Sequence, residues 1–361
     1  MWTEVKGADP ICSPEMTSVS PVIDEARPRA TMREVAALAG VSVKTVSRVV
    51  NHEASVSPAA RDRVDRAVRQ LGYRHNVAAS NLRRGNARSA MVGALLQDVS
   101  NSFSASLLRS LEDAAHARDT LLFAASLDEE PDRERLLVES LLRRQVDGLL
   151  LMPATPRQDY LVDDVRNGLP VVFVDRRPHG VDADSVTIDN ALGARMAVDH
   201  LVAHGHEQIA VLCDLPQIET AAARLTGYRD AMRTAGLQPR AEHVAVSLRS
   251  SRAAAEATLR LLDSDVPPTA IFAGRNDLAV GAVRTLRERG LSGKVALVGF
   301  DDFPLADIVD PPLTVIRQDV AQIGAEVTRL LFARIDGDRS VPEHLVLRPQ
   351  LVARGSGEIR A

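Results

Sequence analysis

Between Thr31 and Asn51 the chain reads T-M-R-E-V-A-A-L-A-G-V-S-V-K-T-V-S-R-V-V-N, and apolar residues recur at helical spacing on both sides of a glycine. Thr31, with Glu34 three positions later, forms a capping box, which predicts a helix starting at Met32. Val35 and Leu38 supply its apolar face, Ala36 and Ala39 leave room for a second helix, and Gly40 supplies the left-handed residue that stops it. Ser42 then caps a second helix from Val43, with Val46, Val49 and Val50 facing inward and Val43, Lys44, Ser47 and Arg48 facing outward. Such a pair is a helix-turn-helix, whose second helix enters a DNA major groove, or else an ordinary helical hairpin. Ser57-Pro58 opens a third helix, Arg61 to Leu71, ending at Gly72; Val64, Val68 and Leu71 close a three-helix core.

From Met91 the pattern changes to short apolar runs alternating with amphipathic stretches. Strands are predicted at Met91 to Leu96, Leu121 to Ala125, Gly148 to Met152, Val171 to Val174 and Ser185 to Ile188, with helices such as Phe103 to Ala117 and Asp132 to Arg144 between them. A second set follows, with helix Leu192 to His204, strand Ile209 to Cys213, helix Ala223 to Ala235, strand Ala270 to Ala273, helix Leu278 to Arg289 and strand Ala296 to Gly299. Alternation of this kind builds parallel sheets with helices on both faces. The tail crosses back near Ile316 to Val320 and again near Val341 to Arg348, so both halves are discontinuous.

Composition narrows the class. The chain has 361 residues, 45% hydrophobic and 25% charged, as expected of a globular protein of two or three domains. No run approaches the roughly 18 apolar residues of a membrane span, and the N-terminus lacks a secretory core, so a cytoplasmic protein is expected. The two cysteines, Cys12 and Cys213, imply no disulfide or metal framework. Net charge is -4, yet residues 30–90 carry eleven Arg and Lys against four Asp and Glu. A basic head on an acidic body is the footprint of a nucleic-acid-binding module joined to a domain with another task. Residues 1–29, rich in Pro, Ser and charge and without period, read as a disordered extension.

The wording A-x-x-A-G-V-S-x-x-T-V-S-R-V-V-N resembles, almost residue for residue, the headpiece of the LacI family of bacterial transcription regulators, and the match continues to the far end of the chain. The resemblance implies an α/β protein: a small all-α helix-turn-helix domain at 30–76, a hinge helix and linker at 77–88, and an effector-binding and dimerisation domain at 89–356. That last domain would hold two doubly wound parallel-sheet subdomains of the periplasmic-binding-protein-like kind, about 89–188 plus 320–341 and about 189–316 plus 342–356. Val43, Lys44 and Arg48 would contact base edges, Ser42, Thr45, Asn51, Tyr73 and Asn76 would hold DNA phosphates, and Thr31 and Ser47 would also belong to the DNA-binding surface. Ala79 and Leu82 would belong to the hinge helix, with Leu82 wedged into the minor groove. His75 stands where the family usually has proline.

In parallel sheets ligands sit beyond the C-terminal ends of strands. Ser100, Asn101 and Phe103 follow the first strand, Asp175 follows Val171 to Val174, Asp301 follows the strand ending at Gly299, and Arg224 opens a helix. The resemblance places Asp175, Arg224 and Asp301 on effector hydroxyls; alternatively Asp175 and Arg224 are a domain-closing pair. Asn101-Ser102-Phe103 replaces the family's N-P-F. An ungapped match puts Arg275, not Asn276, where sugar-binding members carry Asn, and a gap would restore Asn276; in the ungapped register the pocket gains a cation, which favours an anionic effector. The expected partners are a double-stranded operator, a sugar or sugar phosphate, and a second copy of the chain in a homodimer, with no cofactor and no membrane. His200, His204 and His206 have the spacing of metal ligands, but the family carries H-G-H-x-x-I-A at a surface turn and no metal is expected. Neither G-x-G-x-x-G nor G-x-x-x-x-G-K-[ST] occurs, so an enzyme is not expected; a hydrolytic α/β protein or an exported sugar binder remains as an alternative.

Overall fold

The computed structural model describes residues 30–50, 55–73 and 88–361. They fall in two units, a helical head within residues 1–80 and an α/β body within residues 81–361. The expected extension at 1–29 and most of the expected hinge and linker lie outside the described residues.

In the head, α1 (Met32–Ala39) begins at the capping box: Thr31 N donates to Glu34 Oε2 at 2.6 Å, and Glu34 N donates to Thr31 Oγ1 at 3.3 Å. Gly40, at φ 63°, ends it. In α2 (Val43–Val50) the first turn is tied by Thr45 N donating to Ser42 Oγ at 3.1 Å. Helix α3 (Pro58–Leu71) begins at the Ser57-Pro58 opening and takes in the turn ahead of Arg61, with proline in its first turn and no side-chain bond from Ser57. Val35, Ala36, Ala39, Val46, Val49, Val64 and Ala67 form the buried core. Leu38 is not part of it. Its side chain is 47% exposed, because at 100° per residue it lies roughly a quarter turn or more from the stripe centred on Val35, Ala36 and Ala39.

The body holds two six-stranded sheets. The first is built from β1 (Met91–Leu96), α4 (Ser102–His116), β2 (Leu121–Ser126), α5 (Pro131–Arg143), β3 (Gly148–Leu151), α6 (Val162–Arg166), β4 (Val171–Val174) and β5 (Asp184–Ile188). The second comprises α7 (Asn190–Ala203), β6 (Ile209–Leu212), α8 (Glu219–Thr234), β7 (Val244–Ala245), α9 (Ser251–Leu262), β8 (Ala270–Ala273), α10 (Asn276–Glu288), β9 (Ala296–Phe300) and β10 (Thr314–Arg317). The chain then returns as α11 (Val320–Ile335), β11 (His344–Leu347) and β12 (Gln350–Val352). Strand order is β11-β5-β4-β3-β1-β2 in one sheet and β12-β10-β9-β8-β6-β7 in the other, so the two halves repeat one topology. All pairings are parallel except β10 with β12. Central strands such as V-V-F-V at β4 are buried on both faces, which is why they read as unbroken apolar runs.

Two boundaries differ from expectation. Strand β11 pairs with β5 in the first sheet, so the chain changes subdomain between Leu347 and Gln350 and not near residue 341. The body also runs past residue 356: Leu297 N donates to Ser356 O at 2.9 Å and Ala361 N donates to His204 O at 3.3 Å. The three spaced histidines serve this last segment. His200 Nε2 is 2.6 Å from Glu358 Oε1, His206 bonds Thr269 Oγ1 and Ile359 O, and His204 Nδ1 bonds the His200 carbonyl. Glycine matters most where α7 meets α8: a Cβ on Gly227 would lie 2.2 Å from the Ala191 carbonyl oxygen.

Candidate functional site

On the head, α2 buries Val46 and Val49 and leaves the other side of the helix open. Val43 and Lys44 are exposed, as is Ser42 before them, while Thr45, Ser47 and Arg48 are half-buried. Ser42 Oγ and Thr45 Oγ1 are 2.9 Å apart. Thr31 is exposed at the start of α1 and Tyr73 packs against the head core after α3. The described head residues carry seven Arg and Lys against three Asp and Glu, a surface able to draw in phosphates. Asn51, Asn76, Ala79 and Leu82 lie outside the described residues.

In the body, Asp175 and Asp301 occupy equivalent places. Each follows the equivalent strand of its sheet, β4 and β9, each has a left-handed backbone at φ 68° and 69°, and each amide donates to the neighbouring strand, Asp175 N to Val186 O at 3.0 Å and Asp301 N to Ile316 O at 2.8 Å. Non-glycine residues in this conformation are uncommon, and aspartate tolerates it better than most. Both carboxylates face one cavity between the sheets, as do Arg224, Arg275 and Asn101.

Arg224 is fixed from three sides. Its Nε donates to Asn190 Oδ1 at 2.8 Å, its Nη1 donates to Gly274 O at 2.7 Å, and its guanidinium lies 3.7 Å from the centre of the Phe300 ring. Nη1 is also 3.7 Å from Asp301 Oδ2. Gln318, at the start of the crossover after β10, donates through Nε2 to Asp301 Oδ1 at 2.5 Å. Asp175 is 3.6 Å from Arg176 Nε and accepts no side-chain hydrogen bond among the described residues. Burial pushes its carboxyl up to about 6, with Arg176 and then Arg224 pulling the other way. Arg176 is held in turn by Glu129 and by the Pro153 carbonyl, at 2.6 Å.

Both residues of the ambiguous pair reach the cleft, in different roles. Arg275 pairs with Asp214, donates to Arg249 O at 3.2 Å and lies 3.3 Å from Asp277. Asn276, buried at the first position of α10, bonds across the cleft: Asn101 Nδ2 donates to its Oδ1 at 3.0 Å, and its Nδ2 donates to Ser102 Oγ at 3.1 Å. Arg249 Nη2 donating to Asp128 O at 2.9 Å makes a second crossing. Phe103, whose amide is capped by Asn101 Oδ1 at 3.0 Å, walls the cavity. Ser100 does not reach it: its amide and hydroxyl are spent on Asp98 Oδ1. The central space is about 40 Å³; a groove of about 750 Å³ beside it shares Phe103, Asp301 and Gln318 as a common wall. Glu129, Asp214, Asn190 and Gln318 were not singled out from the sequence, although Asp214 and Gln318 follow strands as Asp175 and Asp301 do.

A helical head and a two-sheet body with strand-end carboxylates converging between the sheets is an arrangement with known relatives. The family model of bacterial regulatory proteins of the lacI family matches residues 31–76, and that of the periplasmic binding protein-like domain matches residues 198–357. The HTH-type transcriptional repressor CytR of Escherichia coli (strain K12) is 30% identical over 329 residues, covering 91% of this chain and 96% of that protein. The chain belongs to the lacI family. Among solved structures, the lac repressor dimer bound to operator and the anti-inducer ONPF aligns with a TM-score of 0.78 at 27% identity, over 91% of this chain and 99% of that one. The complex of the transcriptional regulator CelR with cellobiose aligns with a TM-score of 0.66 at 32% identity, over 91% and 100%. This member of the lacI family is therefore a DNA-binding transcription regulator with a periplasmic-binding-protein-like effector body.

Proposed function

We propose that the protein is a cytoplasmic repressor that binds a pseudo-palindromic operator as a homodimer and responds to a small carbohydrate, a sugar or sugar phosphate, held between the two sheets. The observation that carries this reading is the convergence of Asp175, Arg224 and Asp301 on one cavity. Carboxylates accept from sugar hydroxyls and a guanidinium donates to hydroxyl or ring oxygens, which is the polar pattern a carbohydrate needs. Val43, Lys44 and Arg48 read base edges; Thr31, Ser42, Thr45, Ser47 and Tyr73 hold the backbone. A two-fold protein matches a two-fold operator, and one head reads only a half-site. The edge strand β2 exposes Leu121 (71%) and Phe123 (49%), an apolar edge that supports pairing with a second copy.

Control follows from the cleft. Its centre has room for about one water molecule, so a sugar entering between Asp175 and Asp301 must part the bonds from Asn101 and Ser102 to Asn276. A ligand that binds one separation of the sheets better than the other shifts the population toward it, and the segment 77–88, most of it outside the described residues, carries the change to the head. A thermal-shift screen of sugars and sugar phosphates on the purified chain tests the reading: a carbohydrate that raises the melting temperature in the wild type and not in Asp301→Ala is expected. Equal stabilisation of both would remove the cleft from the account.

A further inference from the structure

Arg275 raises the question of whether the cleft is built for an anion. Resting on the carbohydrate reading above, we propose that the seat takes an uncharged polyhydroxyl ligand, excludes its phosphate ester, and owes this filter to Asp214, which holds Arg275. Arg275 Nη1 is taken by Asp214, and Nη2 by the Arg249 carbonyl and by Asp277. Arg176 is spent in the same way on Glu129 and Pro153 O. In each guanidinium both Nη atoms are thus already engaged and only Nε is without a partner, so neither offers the unengaged two-pronged fork that grips a phosphate.

The unmet demands of the site point the same way. Among the described residues, three buried side-chain atoms lack a hydrogen-bond partner, namely Arg176 Nε, Arg275 Nε and Gln318 Oε1, and all three belong to residues walling this one cavity. Arg176 is 9% exposed and Gln318 5%. Buried polar atoms without partners are rare in folded proteins and call for an occupant. Gln318 Oε1 needs a donor, and so do the Asp175 carboxylate and Asp301 Oδ2, neither of which accepts a hydrogen bond among the described residues. Three positions want a donor and two want an acceptor. Hydroxyl groups supply both, whereas a phosphate dianion only accepts. Charge agrees: the wall carries the carboxylates of Glu129, Asp175, Asp214 and Asp301 against three guanidinium groups, a balance of -1. An entering phosphate would lose its water and meet a site already negative.

The test uses the full chain. Inorganic phosphate, then ribose against ribose 5-phosphate and glucose against glucose 6-phosphate, are titrated by calorimetry and thermal shift at matched ionic strength, on wild type and Asp214→Asn. In the wild type, a sugar should bind about tenfold or more tightly than its ester; in Asp214→Asn, freed Arg275 should raise affinity for inorganic phosphate about tenfold. Phosphate held by the basic head is common to both proteins and cancels in the comparison. An ester bound by the wild type as tightly as its sugar would overturn the filter and leave the carbohydrate reading intact. No neutral sugar binding at all would overturn that reading and the filter with it. Should Asp214→Asn fail to fold, Asp277→Asn, at a half-exposed carboxylate, should shift phosphate affinity in the same direction by less; no shift there would count against the filter.

Discussion

Replacing Asp175 by asparagine removes a carboxylate whose ionised form the fold disfavours by burial. Its side chain is 11% exposed, and burial raises the carboxyl from the ordinary 3.8 to about 6. The folded chain thus holds the proton more tightly than the unfolded chain does. Stability from this group is full below the unfolded value and is lost as pH rises through the folded one. Integrated over the shift, the loss is about 3 kcal/mol at pH 7.5 and about 1.6 kcal/mol at pH 5. Asp175→Asn has no proton to lose, so the ligand-free variant should exceed the wild type by those amounts, a rise of about 5 to 10 °C in melting temperature at pH 7.5. The assay is thermal unfolding of both proteins without ligand between pH 4 and 8, reading their difference so that other titrating groups cancel. The same variant should bind the cleft ligand less well, because an amide offers one acceptor oxygen where the carboxylate offers two. A difference that vanishes at pH 7.5, or that grows toward acid, would refute the burial argument.

Arg48→Ala should relax preference at one base pair of each half-site, by about 1 to 3 kcal/mol, in a competition assay on randomised operators; a uniform loss over all sequences would mean Arg48 touches only backbone. Thr31→Ala opens the capping box and should lower the stability of the head by about 1 kcal/mol, read from its urea transition. Gly227→Ala drives a Cβ into the Ala191 carbonyl and should destabilise the body by about 1 to 3 kcal/mol, with wild-type stability showing that α7 and α8 do not pack this closely. Asn276→Ala removes the amide bonds across the cleft, worth about 0.5 to 1.5 kcal/mol each, and should speed hydrogen exchange at the start of α4; unchanged exchange would argue against the crossing.

Local chemistry was the most legible part of the chain. Thr31 with Glu34 located the start of α1, and the apolar runs at β4 and β8 set both ends of those strands, because caps and buried strands are written within a few neighbouring residues. Helices α4 and α7 start one and two residues earlier than their apolar residues suggested, since Asn101 and Asp189 cap them from polar turns. Leu38 was misjudged because the direction of the core depends on where α3 lies. The partner of β11 and the pairing of Gln318 with Asp301 are contacts between distant parts of the chain, and no local pattern encodes them. For Arg275, the residue type announced a cation in the cleft, but Asp214, 61 positions earlier, decides what that cation is free to do.

In the function proposed above, occupation of the cleft governs DNA binding through the chain itself. Fluorescence anisotropy of a labelled operator, titrated with the chain with and without the sugar that raises its melting temperature, tests it most directly when run beside Asp301→Ala. The sugar should change operator affinity of the wild type about tenfold or more, Asp301→Ala should bind operator like the sugar-free wild type, and the sugar should leave the variant's binding unchanged. A sugar response of the same size in Asp301→Ala, or no response in a wild type shown to bind the sugar, would contradict it.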